Sequence, residues 1–269
     1  MKCSIVLSTQ RTAFEGVAYK GEWEQNAAKM AHLGYDGVEL AVRDPSLLDV
    51  THVQQVLCRL HLEVPAIGTG QAYGEEGLSF TDPQEKVRRR AVERVKKHID
   101  FARTLQAMVI IGLIRGQVQK GISREQAMEW LITALAECAQ YAMPNVHLVL
   151  EPLNRYETNL INTVAEGLEC IQTIGAGNIG LLFDTFHANI EEVSLEEAMR
   201  LAGGRLLHVH VADSNRWYPG AGHIDFAKVI AVLREIGYNG GYLSVEAMPK
   251  PDADTCAQRA LATLRSLCI

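Results

Sequence analysis

VHLVLEPLNRYETN, residues 146–159, is the stretch from which the fold can be worked out. Val146 to Leu150 is an apolar run broken only by His147, and it reads as a strand buried on both faces. It stops abruptly at Glu151 and Pro152, and a second carboxylate, Glu157, follows in the same short polar segment. An ionised carboxylate at the exit of a buried strand is costly unless it is paired or coordinates a cation. The question is therefore what the neighbouring strands deliver to the same place.

Working outward, the same unit recurs. Short apolar, β-rich runs occupy residues 3–8, 36–40, 62–67, 107–111, 146–150, 179–183, 206–211 and 241–245. Stretches with helical apolar spacing lie between and after them, at 22–33, 50–61, 83–105, 123–141, 163–174, 194–202, 225–236 and 253–267. Several have N-terminal signals, such as Thr81–Asp82–Pro83 and Ser123 followed by Glu125. Eight strands and eight helices in strict alternation, with near-continuous apolar strands, predict an α/β fold with a parallel sheet closed into a single (β/α)8 TIM barrel over residues 1–269. The alternative is a doubly wound open sheet. It usually has a glycine-rich turn after its first strand, and STQRTAFEG, residues 8–16, contains no GxGxxG.

Composition agrees with that frame. The chain has 269 residues, a net charge of −6 and 48% hydrophobic residues, which suits one barrel of about 250 residues. Mild acidity argues against a general nucleic-acid binder, and no apolar stretch approaches the roughly 20 residues of a membrane span. The basic run EKVRRRAVERVKKH, residues 85–98, places Val87, Ala91, Val92 and Val95 on one helical stripe, so its charges are expected on a solvated outer face. MKCSIVLSTQRTAF lacks the apolar region of a secretory signal. The cysteines at 3, 58, 138, 170, 256 and 268 form no CxxC pair, and a cytoplasmic location with reduced thiols is expected.

In such barrels the chemistry sits where the strands end. The fifth strand delivers Glu151. The sixth (IGLLFDTFH) delivers Asp184, with His187 beyond it. The seventh (LLHVHVADSNR) delivers His210, followed by Asp213 and Arg216, and the eighth (GYLSVEAMP) delivers Glu246. Of the two histidines on the seventh strand, His210 is expected to face the barrel axis and His208 to point away. Each residue taken singly has an ordinary structural reading: Asp184 before Thr185 could cap a helix, for example. Four consecutive strands each ending in a metal-binding side chain carry more weight. Three carboxylates and an imidazole form an oxygen-rich set that suits Mn²⁺, Mg²⁺ or Co²⁺ better than a thiolate zinc site does.

EPLNRYETN (151–159), FDTFHANIEE (183–192), HVHVADSNRWYPGAGHIDF (208–226) and SVEAMP (244–249) resemble the D-tagatose 3-epimerase, or ketose 3-epimerase, family of xylose-isomerase-like barrels. STQRTAF, AVRDPS, AIGTGQAYGEEGLS and IIGLIRG are similar to its 5-keto-L-gluconate epimerase branch. The resemblance implies that Glu151, Asp184, His210 and Glu246 bind one divalent ion, Mn²⁺ first, with Co²⁺ or Mg²⁺ as alternatives. It implies that Glu151 and Glu246 are the acid/base pair and that Glu157, His187 and Arg216 bind the carbonyl end of a keto sugar or keto-sugar acid. Members of the family often pair as dimers or tetramers, so a homo-oligomer is a further expectation.

The expected function is therefore metal-dependent epimerisation beside a ketone. One carboxylate removes a proton from one face, the other returns it to the opposite face, and a metal-bound enediolate lies between. An aldose–ketose isomerase using the same site is the alternative, and a catalytically silent sugar-binding barrel is a third reading. A three-metal phosphodiesterase of the same superfamily would resemble this chain but carry histidines in the early loops, where AIGTGQAYG and IIGLIRG have none. GTGQAYG, residues 68–74, is expected to be a loop over the pocket, with Gln71 or Tyr73 touching substrate. Arg11, Arg115 and Arg155 each follow a strand, and one of them could bind an anionic group at the substrate's far end. Trp217 and Tyr218 either wall the pocket or pack their loop.

Overall fold

The computed structural model describes residues 1–268. Eight parallel strands close on themselves: β1 (Lys2–Ser8), β2 (Gly37–Ala41), β3 (Ala66–Gly68), β4 (Met108–Ile111), β5 (Leu148–Leu150), β6 (Ile179–Asp184), β7 (Leu206–Val211) and β8 (Tyr242–Val245). Neighbours pair in chain order, and β8 returns to β1 with Val245 opposite Ile5. The outer ring is α1 (Trp23–Leu33), α2 (Val50–Arg59), α3 (Glu85–Leu105), α4 (Arg124–Ala142), α5 (Val164–Ile174), α6 (Leu195–Ala202), α7 (Phe226–Glu235) and α8 (Ala253–Cys268). Ser123 caps α4, and Thr163 with Glu166 forms a reciprocal capping box at the start of α5. The described cysteines are all unpaired thiols.

Alternation along the strands divides the interior in two. Ile5, Leu40, Val109, Leu148, Phe183, Val209 and their neighbours face outward and pack under the helices in one large cluster. Ala66, Ile110, Val149 and Leu182, from β3 to β6, form a separate small apolar cluster in the lumen. Against it, β2, β7 and β8 place buried Glu39, His208, His210 and Ser244. Half of the lumen is thus apolar and half polar, and the polar half must satisfy its own hydrogen bonds.

Several expectations change. His208 and His210 both face the lumen, because residues two apart on a strand share a face; their rings lie 5.3 Å apart. The run expected as a strand from residue 62 is reduced to Ala66–Gly68, since Pro65 has no N–H to donate; Glu63 keeps one isolated bridge to Gly37. GTGQAYG is not a loop throughout: a helix begins inside it and runs Gly70–Glu76. The helix expected at 83 starts at Glu85, with Gln84 in extended conformation at its N-cap. Arg94 is not on the solvated face of α3: it is buried between Asp44 and Glu76 at 2.9–3.0 Å, while Arg89 and Lys96 do lie outside and pair with Glu137 on α4.

Candidate active site

Glu151 follows β5, Asp184 ends β6, His210 lies on β7 and Glu246 follows β8. A register shift between Leu181 and Leu182 brings Asp184 level with His210 on the adjacent strand. The four side chains converge. His210 Nδ1 is 3.5 Å from Glu151 Oε1, 3.8 Å from Asp184 Oδ2 and 3.8 Å from Glu246 Oε2. Glu151 Oε1, Asp184 Oδ2 and His210 Nδ1 are buried without any hydrogen-bond partner. Three buried polar atoms without partners, aimed at one another, are what a cation would satisfy. Asp184 serves both of its readings at once: Oδ1 caps the helix Thr185–Glu191 by accepting from the N–H groups of Phe186 and His187, while Oδ2 turns to the cluster.

The electrostatics follow from crowding. Burial, then the Glu151 and Asp184 carboxylates, push the Glu246 carboxyl up to about 8. Burial would also raise Asp184, but His187 and His210 outweigh it and hold that group at about 2. Burial alone would lower His210, yet Glu39 and Glu246 raise it well above the usual imidazole range. Gly112 permits the approach of β5: a Cβ there would lie 2.7 Å from Glu151 Oε2.

Around this centre lies a cavity of about 310 Å³. Arg216 donates to Glu157 at 2.7 Å and to Glu246 at 3.4 Å, with its guanidinium 5.2 Å from the Phe14 ring and 4.9 Å from that of Phe186. Its backbone is left-handed, φ 61°, a strained conformation for a side chain of this size. Glu157 therefore pairs with Arg216, not with Arg155, which binds Glu191 at the surface. His187 is oriented by Asn154, whose backbone N–H and side-chain amide both donate to Nδ1, at 3.3 and 2.7 Å. Asn154 Oδ1 accepts from Tyr156 N, so the amide nitrogen is the donor and His187 carries its hydrogen on Nε2, 3.8 Å from Asp184 Oδ2, while the residue lines the cavity. Phe14, Val17, Leu113 and Leu153 form an apolar wall, and Thr12, Gln71 and Glu75 form a polar rim.

Of the other sequence candidates, all but Gln71 stay out of the cavity. Arg115 is fully buried and donates to the carbonyls of Glu151, Leu160 and Ile161. Arg11 is exposed. Tyr73, Trp217 and Tyr218 are absent from the lining, Tyr218 packing on the core, and Asp213 instead organises its loop by accepting from the N–H groups of Ser214, Gly220 and Ile224. Gln71 lines the cavity, where it donates to Ser8 Oγ at 2.6 Å. Two residues escaped the sequence reading. Asn154 stands in the quoted motif but had no signal of its own; Glu39, an acidic residue inside the apolar run DGVEL, was the visible clue to the lumen network.

Comparison with known proteins finds relatives along most of the chain. The profile of the xylose isomerase-like TIM barrel family matches residues 27–267. An L-ribulose 3-epimerase of Methylomonas sp. (strain DH-1) is 31% identical over 93% of this chain and 89% of its own length. One from Mesorhizobium japonicum is 33% identical over 92% of this chain and 83% of its own. A solved structure of L-ribulose 3-epimerase superposes with TM-score 0.84 at 29% identity, covering 98% of this chain and 94% of that one.

Proposed function

This chain belongs to the xylose isomerase-like TIM barrel family and is a carbohydrate epimerase or isomerase, and from that premise we propose that it inverts C3 of a neutral ketose. The observation that carries the reading is the convergence of Glu151 and Glu246, from strands on different sides of the barrel, on one buried centre with Asp184 and His210.

In this reading Glu151, Asp184, His210 and Glu246 hold one divalent ion, Mn²⁺ first. When bound, the ion supplies a Lewis acid that lowers the cost of negative charge on the substrate's oxygens. The protein's own groups do the rest. One of Glu151 and Glu246 takes the C3 proton and the other returns one to the opposite face, their roles exchanging with direction. The His187 Nε2–H and the Arg216 guanidinium donate to the carbonyl end as the enediolate forms, and Glu157 holds Arg216 in place. The 5-keto-L-gluconate branch is disfavoured by the cavity's charge. Among the described residues Arg216 is its sole Lys or Arg, already shared by two carboxylates, whereas Glu39, Glu75, Glu151, Glu157 and Glu246 all line it. With the divalent ion committed to the carbonyl end, the lining offers a carboxylate or phosphate at the substrate's far end no Lys or Arg besides Arg216.

The test is metal-stripped protein resupplied with Mn²⁺ in D₂O and offered ketopentoses, ketohexoses, their phosphates and keto-hexonates, read by proton NMR. Deuterium at C3 of a neutral ketose together with a new epimer is expected. Deuterium-containing aldose would transfer the assignment to an isomerase, and turnover confined to anionic sugars would overturn the neutral substrate class.

A further inference from the structure

Glu39 is the largest unexplained feature of the lumen. It is a fully buried carboxylate on β2, and none of its hydrogen bonds is to Lys or Arg. It reaches across the barrel to β7 and β8. Oε2 lies 2.8 Å from His208 Nε2, 3.0 Å from His210 Nε2 and 2.9 Å from Ser244 Oγ, and Oε1 lies 3.1 Å from His210 Nε2. Resting on the metal reading above, we infer that Glu39 is a positioning residue: it fixes the hydrogen of His210 on Nε2 and thereby aims the Nδ1 lone pair at the carboxylate cluster, tightening the hold on a divalent ion.

The argument is one of donors and acceptors. An ionised carboxylate only accepts, so each partner must donate: the Ser244 hydroxyl and the Nε2–H of both imidazoles. A neutral imidazole with its hydrogen on Nε2 leaves Nδ1 bare. In His210 that bare atom is the one lying 3.5–3.8 Å from Glu151, Asp184 and Glu246. His208 presents Nε2 to Glu39 in the same way and, like His210, has no hydrogen-bond partner at Nδ1; its ring stands edge-on to that of His210, at an interplanar angle of 77°, and limits how that ring can tilt. A carboxylate behind an imidazole is a general means of orienting a metal ligand and raising its basicity. Glu39, His208 and His210 could also be read as a cation site of their own. The 2.8–3.1 Å contacts are direct hydrogen-bond lengths, which favours the positioning role.

The experiment compares the full-length parent with Glu39→Gln, both stripped by chelator and titrated calorimetrically with Zn²⁺. One ion per chain is expected in each, with the dissociation constant of Glu39→Gln raised about 10–100-fold while its circular dichroism stays that of the parent. Long-range ¹H–¹⁵N spectra of the Zn²⁺-loaded parent should show His210 protonated at Nε2 and metal-shifted at Nδ1. The Nε2 proton should move upfield in the variant. Should Glu39→Gln not fold, the parent spectrum alone decides, since the ion on Nε2 of His210 overturns the inference. Equal affinity in a folded variant overturns the role of Glu39 and leaves the metal reading standing. A parent that binds no Zn²⁺ overturns both. Two ions per chain, the second lost with Glu39, would replace positioning by a second metal site.

Discussion

Glu246 shares one buried centre with Glu151 and Asp184, and burial with their repulsion pushes its carboxyl up to about 8. Gln at this position keeps the volume and removes the charge. Glu246→Gln should therefore keep the parent's circular dichroism and thermal midpoint while turnover falls by about 10²–10⁴-fold, the usual worth of a positioned acid or base. Retention of most of the activity would remove Glu246 from the proton transfer. At this scale the sequence is uneven. Glu151, Asp184, His210 and Glu246 were legible because each interrupts or ends an apolar run, where an ionisable group needs a reason. Asn154 was not legible, because its importance lies in a contact with His187, 33 positions away.

Arg115 illustrates how an element can depend on one side chain. It leaves the short 3₁₀ turn Leu113–Arg115 and donates to three carbonyls, those of Glu151, Leu160 and Ile161. It thus ties the segment after β4 to the one after β5, and Glu151 stands on that second segment. Arg115→Met would leave two buried acceptors unpaired, the carbonyls of Glu151 and Leu160, since that of Ile161 also accepts from Leu153 N; at about 1–3 kcal/mol each, urea unfolding should show a loss of at least about 2 kcal/mol. A smaller loss would mean that water or a local shift replaces the guanidinium. The sequence reading placed Arg115 among candidate anion binders, since position after a strand does not say whether a side chain turns outward or back under its own loop. The helix Gly70–Glu76 escaped for a related reason: two glycines within seven residues argue for a loop, and docking under the cavity overrides that local preference.

Across the whole molecule, the lumen gathers negative charge that nearby cations balance only in part. An ion taken up there binds the folded chain and not the unfolded one. Mn²⁺ at about 100 times its dissociation constant should add about 2.7 kcal/mol of stability, which for a chain of this size is a rise of about 5–11 °C in midpoint. Differential scanning calorimetry after chelator treatment, then with Mn²⁺ restored, measures it directly. An unchanged midpoint would contradict an ion held by Glu151, Asp184, His210 and Glu246. Among the described residues no helix is long and apolar enough to cross a membrane.

Eight repeats of an apolar run followed by an amphipathic stretch determined the barrel, because alternation and helical spacing are local properties that only one closed architecture of this length satisfies together. The same repeats indicated which residues stand at the strand ends. The tertiary structure alone decided what those residues touch: that Glu39 crosses the lumen to His208 and His210, that Arg216 is held by Glu157 and Glu246, and that Arg115 is internal. Each of these joins segments between 30 and 171 positions apart. Closure of the barrel sets such distances, and no local pattern records them.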